Sequence, residues 1–173
     1  MQRCLMRKFL LAAAVLALSL PGSALAQSAD VVGPKMAKIG KIDVKDGPHG
    51  LVLTVELEKG ALKPGAHGIH VHEHGDCSDE GFKNSKGHVN PSKTEHGFLN
   101  PKGPHPSDLP NIWAHEDGSV LAELFVPGMK VSGDNGLQDA DGSAIVIHAN
   151  PDDHTTQPIG GAGDRVGCAL FKK

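Results

Sequence analysis

The chain has 173 residues, with 17 Lys and Arg against 20 Asp and Glu, a formal net charge of −3 and 11 histidines. A weakly acidic chain lacks the clustered positive charge that phosphate backbones require, which argues against nucleic acid as a partner. Its 22 glycines and 12 prolines, with no long stretch of apolar residues at i, i+3, i+4 and i+7, argue against a helical domain.

At the N-terminus Arg3, Arg7 and Lys8 precede an apolar run from Phe9 to Leu20, followed by Pro21 and Gly22. The run is too short to span a bilayer, and Ala24-Leu25-Ala26 has the small residues of a cleavage site, so residues 1–26 read as a signal peptide cut after Ala26. Cys4 leaves with it. The expectation is an exported, periplasmic product with no membrane segment, a single domain over residues 27–173. Its net charge is −6, because the removed segment carries three basic residues and no acidic ones. Cys77 and Cys168 remain, bound for a compartment where disulfides persist, and are expected to pair. Closing a loop of 91 positions is worth about 4–5 kcal/mol in the chain-entropy account. The alternative is two separate buried thiols.

Strand candidates follow in order: Met36–Val44, Leu51–Leu57, His67–Glu73, Ile112–Ala114, Ser119–Val126, Ala144–His148 and Val166–Phe171. Most are bounded by Gly, Pro, Asp or Asn. Seven or eight short strands imply an antiparallel sandwich or barrel. Between Gly75 and Asn111 lie 37 residues rich in Gly, Pro, Ser, Asn, Lys and His. A connection of that length is uncommon in a compact domain unless it is functional or tied down by something other than a core. Cys77 and the histidines offer the ties.

His70-Val71-His72 lies in one of the strand candidates. Alternation puts both imidazoles on one side, with Ile69 and Val71 turned to the core. A single His-x-His is weak evidence alone. The long loop, however, adds His88, His96, His105 and Asp108, and His148 closes a Val/Ile strand. Imidazole suits zinc and copper, and three nitrogens with one carboxylate oxygen make a closed tetrahedral set of the kind that holds structural zinc.

Three motifs in this order resemble the copper,zinc superoxide dismutase family over nearly all of the mature chain. They are Gly65-Ala66-His67-Gly68-Ile69-His70-Val71-His72-Glu73, the loop histidines at spacings of 8 and 9 with Asp108 three further on, and Gly161-Ala162-Gly163-Asp164-Arg165-Val166-Gly167-Cys168. Asp76-Cys77 near the clamp and Ala149-Asn150-Pro151-Asp152-Asp153 after His148 look like the bacterial secreted branch. The resemblance implies a Greek-key sandwich or flattened eight-stranded barrel. It implies copper on His70, His72, His88 and His148, and zinc on His88, His96, His105 and Asp108, with His88 bridging. It further implies that Asp152 links His70 to His96 and that Arg165 stands beside the copper. The implied activity is disproportionation of superoxide, with copper cycling by one electron, zinc serving structure and His88 supplying a proton. Arg165 would attract the anion by local field in a chain of net negative charge.

The chain also departs from that family. His154 stands where bacterial relatives often carry tyrosine, and Thr155–Ile159 contains no Lys or Glu, so no charged guidance loop is recognisable. His67 reads as a structural hydrogen-bonding residue, and His49, His74 and His115 as solvated. Two other functions compete. A non-catalytic periplasmic copper/zinc buffer would explain the histidines but has no use for Arg165. A zinc hydrolase, faintly resembled by His70-x-His72-x-x-x-Asp76, needs more length and more helix. The residues leave monomer and homodimer both open.

Overall fold

The computed structural model describes residues 26–133 and 136–173. The expected signal peptide and Cys4 lie outside the described residues apart from Ala26. Among the described residues nine strands carry the architecture: β1 (Ala26–Val32), β2 (Lys38–Gly47), β3 (Gly50–Leu57), β4 (Gly65–His67), β5 (Ile69–His72), β6 (Ile112–Ala114), β7 (Val120–Pro127), β8 (Ser143–His148) and β9 (Arg165–Phe171). Seven form one antiparallel sheet in the order β5-β8-β9-β1-β2-β3-β7, and β4 pairs with β6. Since β4 runs directly into β5 and β6 turns back into β7, the sheet curls towards closure. Counting β4 and β5 as one interrupted strand gives the expected eight.

Period-two patterning builds the central sheet. In β3, Leu51, Leu53, Val55 and Leu57 face the core, while Val52, Thr54 and Glu56 face outward and are only partly covered. In β2, Ile42 and Val44 are buried between the outward Lys41, Asp43 and Lys45. Each fully buried side chain of this size contributes roughly 1.5–3 kcal/mol through loss of contact with water.

Three expectations shift. The segment Ala26–Val32 is a strand that its composition hides, because only Ala29 and Val31 of Ala-Gln-Ser-Ala-Asp-Val-Val meet the core. Met36 belongs not to β2 but to the short 3-10 turn Pro34–Met36, where Lys35 and Met36 both have positive φ. The single strand expected over His67–Glu73 is divided at Gly68 between two sheets. A Cβ at Gly68 would sit 3.0 Å from Ala162 Cβ and 3.4 Å from Asp152 Cβ, so the break is packed closely against the segment that follows β8.

In β8 every residue is buried, on both faces. Ile145 and Ile147 join the main core, whereas Ala144 and Val146 pack with Cys77, Phe82 and Cys168 beneath the long loop. Cys77 and Cys168 form the expected disulfide, Cα–Cα 5.9 Å, which fastens that loop to β9. The loop also covers the free edge of β5: Val89 N–H donates to Val71 O (3.0 Å), Val71 N–H to Ser107 O (3.2 Å) and Glu73 N–H to Gly87 O (2.9 Å). An edge that would otherwise present unpaired backbone groups is thereby closed.

Candidate metal centre

The loop's attachment to β5 also sets its register. Isolated β-bridges pair His72 with His88 and His70 with Asp108, so the two strand histidines face two chemically equipped loop residues. On its other side β5 pairs with β8, and His148 lies at the β8 terminus opposite Arg165 of β9. All of these histidines are buried.

Four imidazole nitrogens, His70 Nδ1, His72 Nε2, His88 Nε2 and His148 Nε2, are buried without a hydrogen-bond partner. They lie within 4.8 Å of one another. Three of the rings are anchored through the other nitrogen. His70 Nε2–H donates to Asp152 Oδ2 (2.8 Å), His72 Nδ1–H to Lys86 O (2.8 Å) and His148 Nδ1–H to Gly163 O (3.1 Å). Anchoring one nitrogen as a donor leaves the other as a lone pair aimed inward. Four buried lone pairs aimed at one point would be costly unless a cation received them. Burial lowers the pKa of each ring, His88 to about 4 and His148 to about 3, with His70 and His72 also lowered. At neutral pH the rings are therefore in the neutral form that metals bind.

The second cluster begins at the other nitrogen of His88. Its Nδ1 lies 3.0 Å from Asp108 Oδ1 and 3.1 Å from His105 Nδ1. His96 Nδ1 and His105 Nδ1 approach the same Asp108 oxygen at 2.9 and 3.2 Å. Four ligands bonded at about 2.0 Å to a tetrahedral ion stand roughly 3.3 Å apart, so the observed spacing is close to a zinc shell. The second Asp108 oxygen accepts the backbone N–H groups of Gly97 and His105, both at 2.9 Å, which turns Oδ1 towards the rings. Burial opposes ionisation of Asp108, but hydrogen bonds from His88, His96 and Gly97 outweigh it and hold the carboxyl below its usual range. For His96, burial lowers the pKa, yet hydrogen bonds to Asp108 and Asp152 carry it up to about 9. The carboxylates thus favour positive charge at their centre.

Asp152 stands between the clusters. Its Oδ1 accepts His96 Nε2–H at 3.0 Å while Oδ2 takes His70, so one carboxylate orients a ring in each set. Arg165 is half-buried. Its guanidinium donates to Phe82 O, Ser85 Oγ and Lys86 O, not to the adjacent Asp164. Lys86 O therefore accepts from both Arg165 and His72. His67 ties backbone to backbone, with Nδ1 2.8 Å from His148 O and Nε2 2.8 Å from Lys63 O. His49 and His115 are exposed, as expected, whereas His74 is only half-buried and approaches Asn84 O.

Comparison with known proteins decides the family. The profile for copper/zinc superoxide dismutase (SODC) matches residues 38–171. The chain belongs to this family. It is 50% identical to a Superoxide dismutase [Cu-Zn] of Caulobacter vibrioides over 77% of this chain and 78% of that one. It is 41% identical to Superoxide dismutase [Cu-Zn] 1 of Aquifex aeolicus over 83% and 86%. Among solved structures, the Cu/Zn superoxide dismutase from Brucella abortus superposes with a TM-score of 0.70 at 27% identity, covering 85% of this chain and 99% of that one. A SOD-like protein from Bacillus subtilis gives 0.79 at 33%, covering 83% and 97%.

Sequence reasoning missed the backbone partners of the family's site. Lys86 O and the Asn111 side chain carry no motif, Gly163 O is a backbone group inside one, and only the fold brings the two carbonyls to His72 and His148 and the Asn111 amide to the Asp152 backbone.

Proposed function

We propose that this chain is an exported, periplasmic superoxide dismutase in which His70, His72, His88 and His148 hold copper and His88, His96, His105 and Asp108 hold zinc. The observation that carries the reading is His88: one nitrogen is an unpartnered member of the all-histidine cluster, and the other belongs to the Asp108 cluster. Copper, when bound, supplies reversible one-electron transfer, while zinc is redox-inert and supplies charge and order. Overall, two superoxide radicals and two protons become one dioxygen and one hydrogen peroxide.

The chain's own groups bind, orient and move protons. Arg165 presents a fixed cation beside His72 and His148, held by the Phe82, Ser85 and Lys86 oxygens, and offers the anion a place to rest. His88 Nε2 is the atom that takes up and releases a proton, while its Nδ1 stays with the Asp108 cluster. Asp152 keeps His70 and His96 in single orientations throughout. For export, the support is the disulfide, the N-terminal residue pattern and the lack of a helix long and apolar enough to cross a membrane among the described residues.

The test is superoxide decay followed on protein loaded with one copper and one zinc per chain, with Arg165→Glu in parallel. Rapid decay is expected from the parent, falling about tenfold or more at low salt in the variant while both metals stay bound. Decay no faster than in buffer sinks the enzyme reading and favours a metal buffer, and a rapid variant indistinguishable from the parent removes Arg165 from the anion's path.

A further inference from the structure

Asp152 has an exacting task and no secondary structure to perform it. Its two oxygens must face His70 Nε2 and His96 Nε2 at once, at 2.8 and 3.0 Å, and Oδ1 also accepts the His154 backbone N–H at 2.6 Å. Yet the residue sits in the irregular segment between β8 and β9. Something outside that segment must fix its backbone.

Asn111 does so with both ends of its amide. Its Nδ2–H donates to Asp152 O at 2.8 Å, and its Oδ1 accepts Asp152 N–H at 2.8 Å. A side chain reproduces the paired donor and acceptor of a strand rung, 41 positions away in sequence. Asn111 is itself well placed to act as a fixed point. It follows Asp108 by three residues and immediately precedes β6, which is bonded to β4 in the barrel wall. The clamp therefore ties Asp152 to the barrel and to the end of the loop that supplies the zinc-type cluster. On the opposite side Gly160, at φ +65, leaves room that no side chain could share: a Cβ there would fall 1.7 Å from Asp152 Oδ1 and 2.9 Å from His96 Nε2.

We propose that Asn111 is a positioning residue of the metal centre, clamping the Asp152 backbone so that one carboxylate orients His70 and His96 together. This rests on the ligand sets proposed above. Asn111 touches neither cluster; it acts through Asp152. Groups bonded directly to a ligand ring, as Asp152 is, typically alter metal affinity 10–100-fold, which sets the ceiling on what Asn111 does through it.

The experiment measures zinc affinity at neutral pH by competition with a chromophoric chelator, on the disulfide-bonded protein, for the parent, Asn111→Ala, Asn111→Asp, Asp152→Asn and Asn111→Ala with Asp152→Asn. Asn111→Asp is isosteric, keeps the acceptor and loses the donor, so it carries the test if the alanine variant does not fold. Both single changes at Asn111 are expected to weaken zinc binding at least severalfold and by no more than Asp152→Asn does, and the double variant should bind no more weakly than Asp152→Asn, because one pathway is being cut twice. NMR supplies the readout that a merely stabilising residue would not move: the His70 and His96 Nε2–H protons, protected in the parent, should exchange faster in the Asn111 variants. Parent-like zinc affinity and protection in a folded Asn111 variant, or additive losses in the double variant, overturns the inference alone. A parent that takes up no zinc overturns the ligand assignment, and the inference with it.

Discussion

The two clusters that share His88 are built in opposite ways. In the all-histidine set, three of four rings come from sheet strands, His70 and His72 from β5 and His148 from β8, with His70 opposite Val146 in the ladder. Their positions are a by-product of folding the barrel. In the other set every member comes from the loop between β5 and β6, whose own apolar anchors are few, chiefly Phe82, Val89 and Leu109. Ordering each residue costs roughly 1–2 kcal/mol, and those anchors cannot offset that cost along the whole loop. The first site is made by the fold, and the second helps to make the fold around it.

The largest expected effect follows directly. Stripping zinc while leaving the disulfide intact should raise amide hydrogen exchange in residues 90–107 by orders of magnitude, with β8 unchanged, because binding and ordering are the same free energy. Exchange mass spectrometry reads both regions in one sample. A loop that stays protected without zinc would break the contrast and transfer its ordering to the disulfide and the β5 edge.

A second, intermediate effect separates the clusters by pH in the metal-free protein. An unfolded histidine gains its proton near pH 6.5. Burial delays that proton in the fold, to about 4 at His88 and about 3 at His148, and lowers His70 and His72 as well. Between those values and 6.5 the unfolded state binds more protons, so stability falls as pH drops. His96 works the other way: its folded pKa of about 9 stabilises fully below 6.5 and is lost as pH rises through 9. Thermal melts should therefore peak near pH 6.5, and His96→Gln should flatten the alkaline arm. An acidic arm that is flat from pH 4 to 6.5 would mean that the first cluster is not held neutral by burial.

The same contrast explains what could be read from residues alone. The central strands were legible because Leu51, Leu53, Val55 and Leu57 alternate with partly covered residues in β3, and the His-x-His clamp because strand side chains alternate faces. β1 was not legible, since Ser28 and Asp30 face away from the core and the polar Gln27 stands on the same face as Ala29 and Val31, leaving those two as the signal. The candidate loop residues could be named by spacing and resemblance, but what brings His88 opposite His72 and Asp108 opposite His70 is backbone pairing along β5. No periodicity in the loop announces that pairing. Asn111 and Lys86 act through amide and carbonyl groups whose value depends on residues many positions away.

Lys86 offers the smallest effect and a sharp one. It sits at φ 61 and ψ −139, a region that glycine occupies freely and a residue with a Cβ does not. The twist aims its carbonyl at His72 Nδ1–H and Arg165 Nη2–H simultaneously, so the chain holds a disfavoured backbone where strand, loop and Arg165 meet. Relief of such strain is worth about 1–3 kcal/mol, and glycine's greater freedom when unfolded returns roughly 0.5–1 kcal/mol of that. Lys86→Gly should thus stabilise by about 1 kcal/mol, a rise of about 2–4 °C in Tm for a chain of this size, with copper and zinc content unchanged because the carbonyl remains. A lower Tm would show that the lysine side chain contributes more than its backbone costs. Loss of metal would show that glycine's freedom lets the segment leave the twist, so that the carbonyl no longer aims at His72 and Arg165.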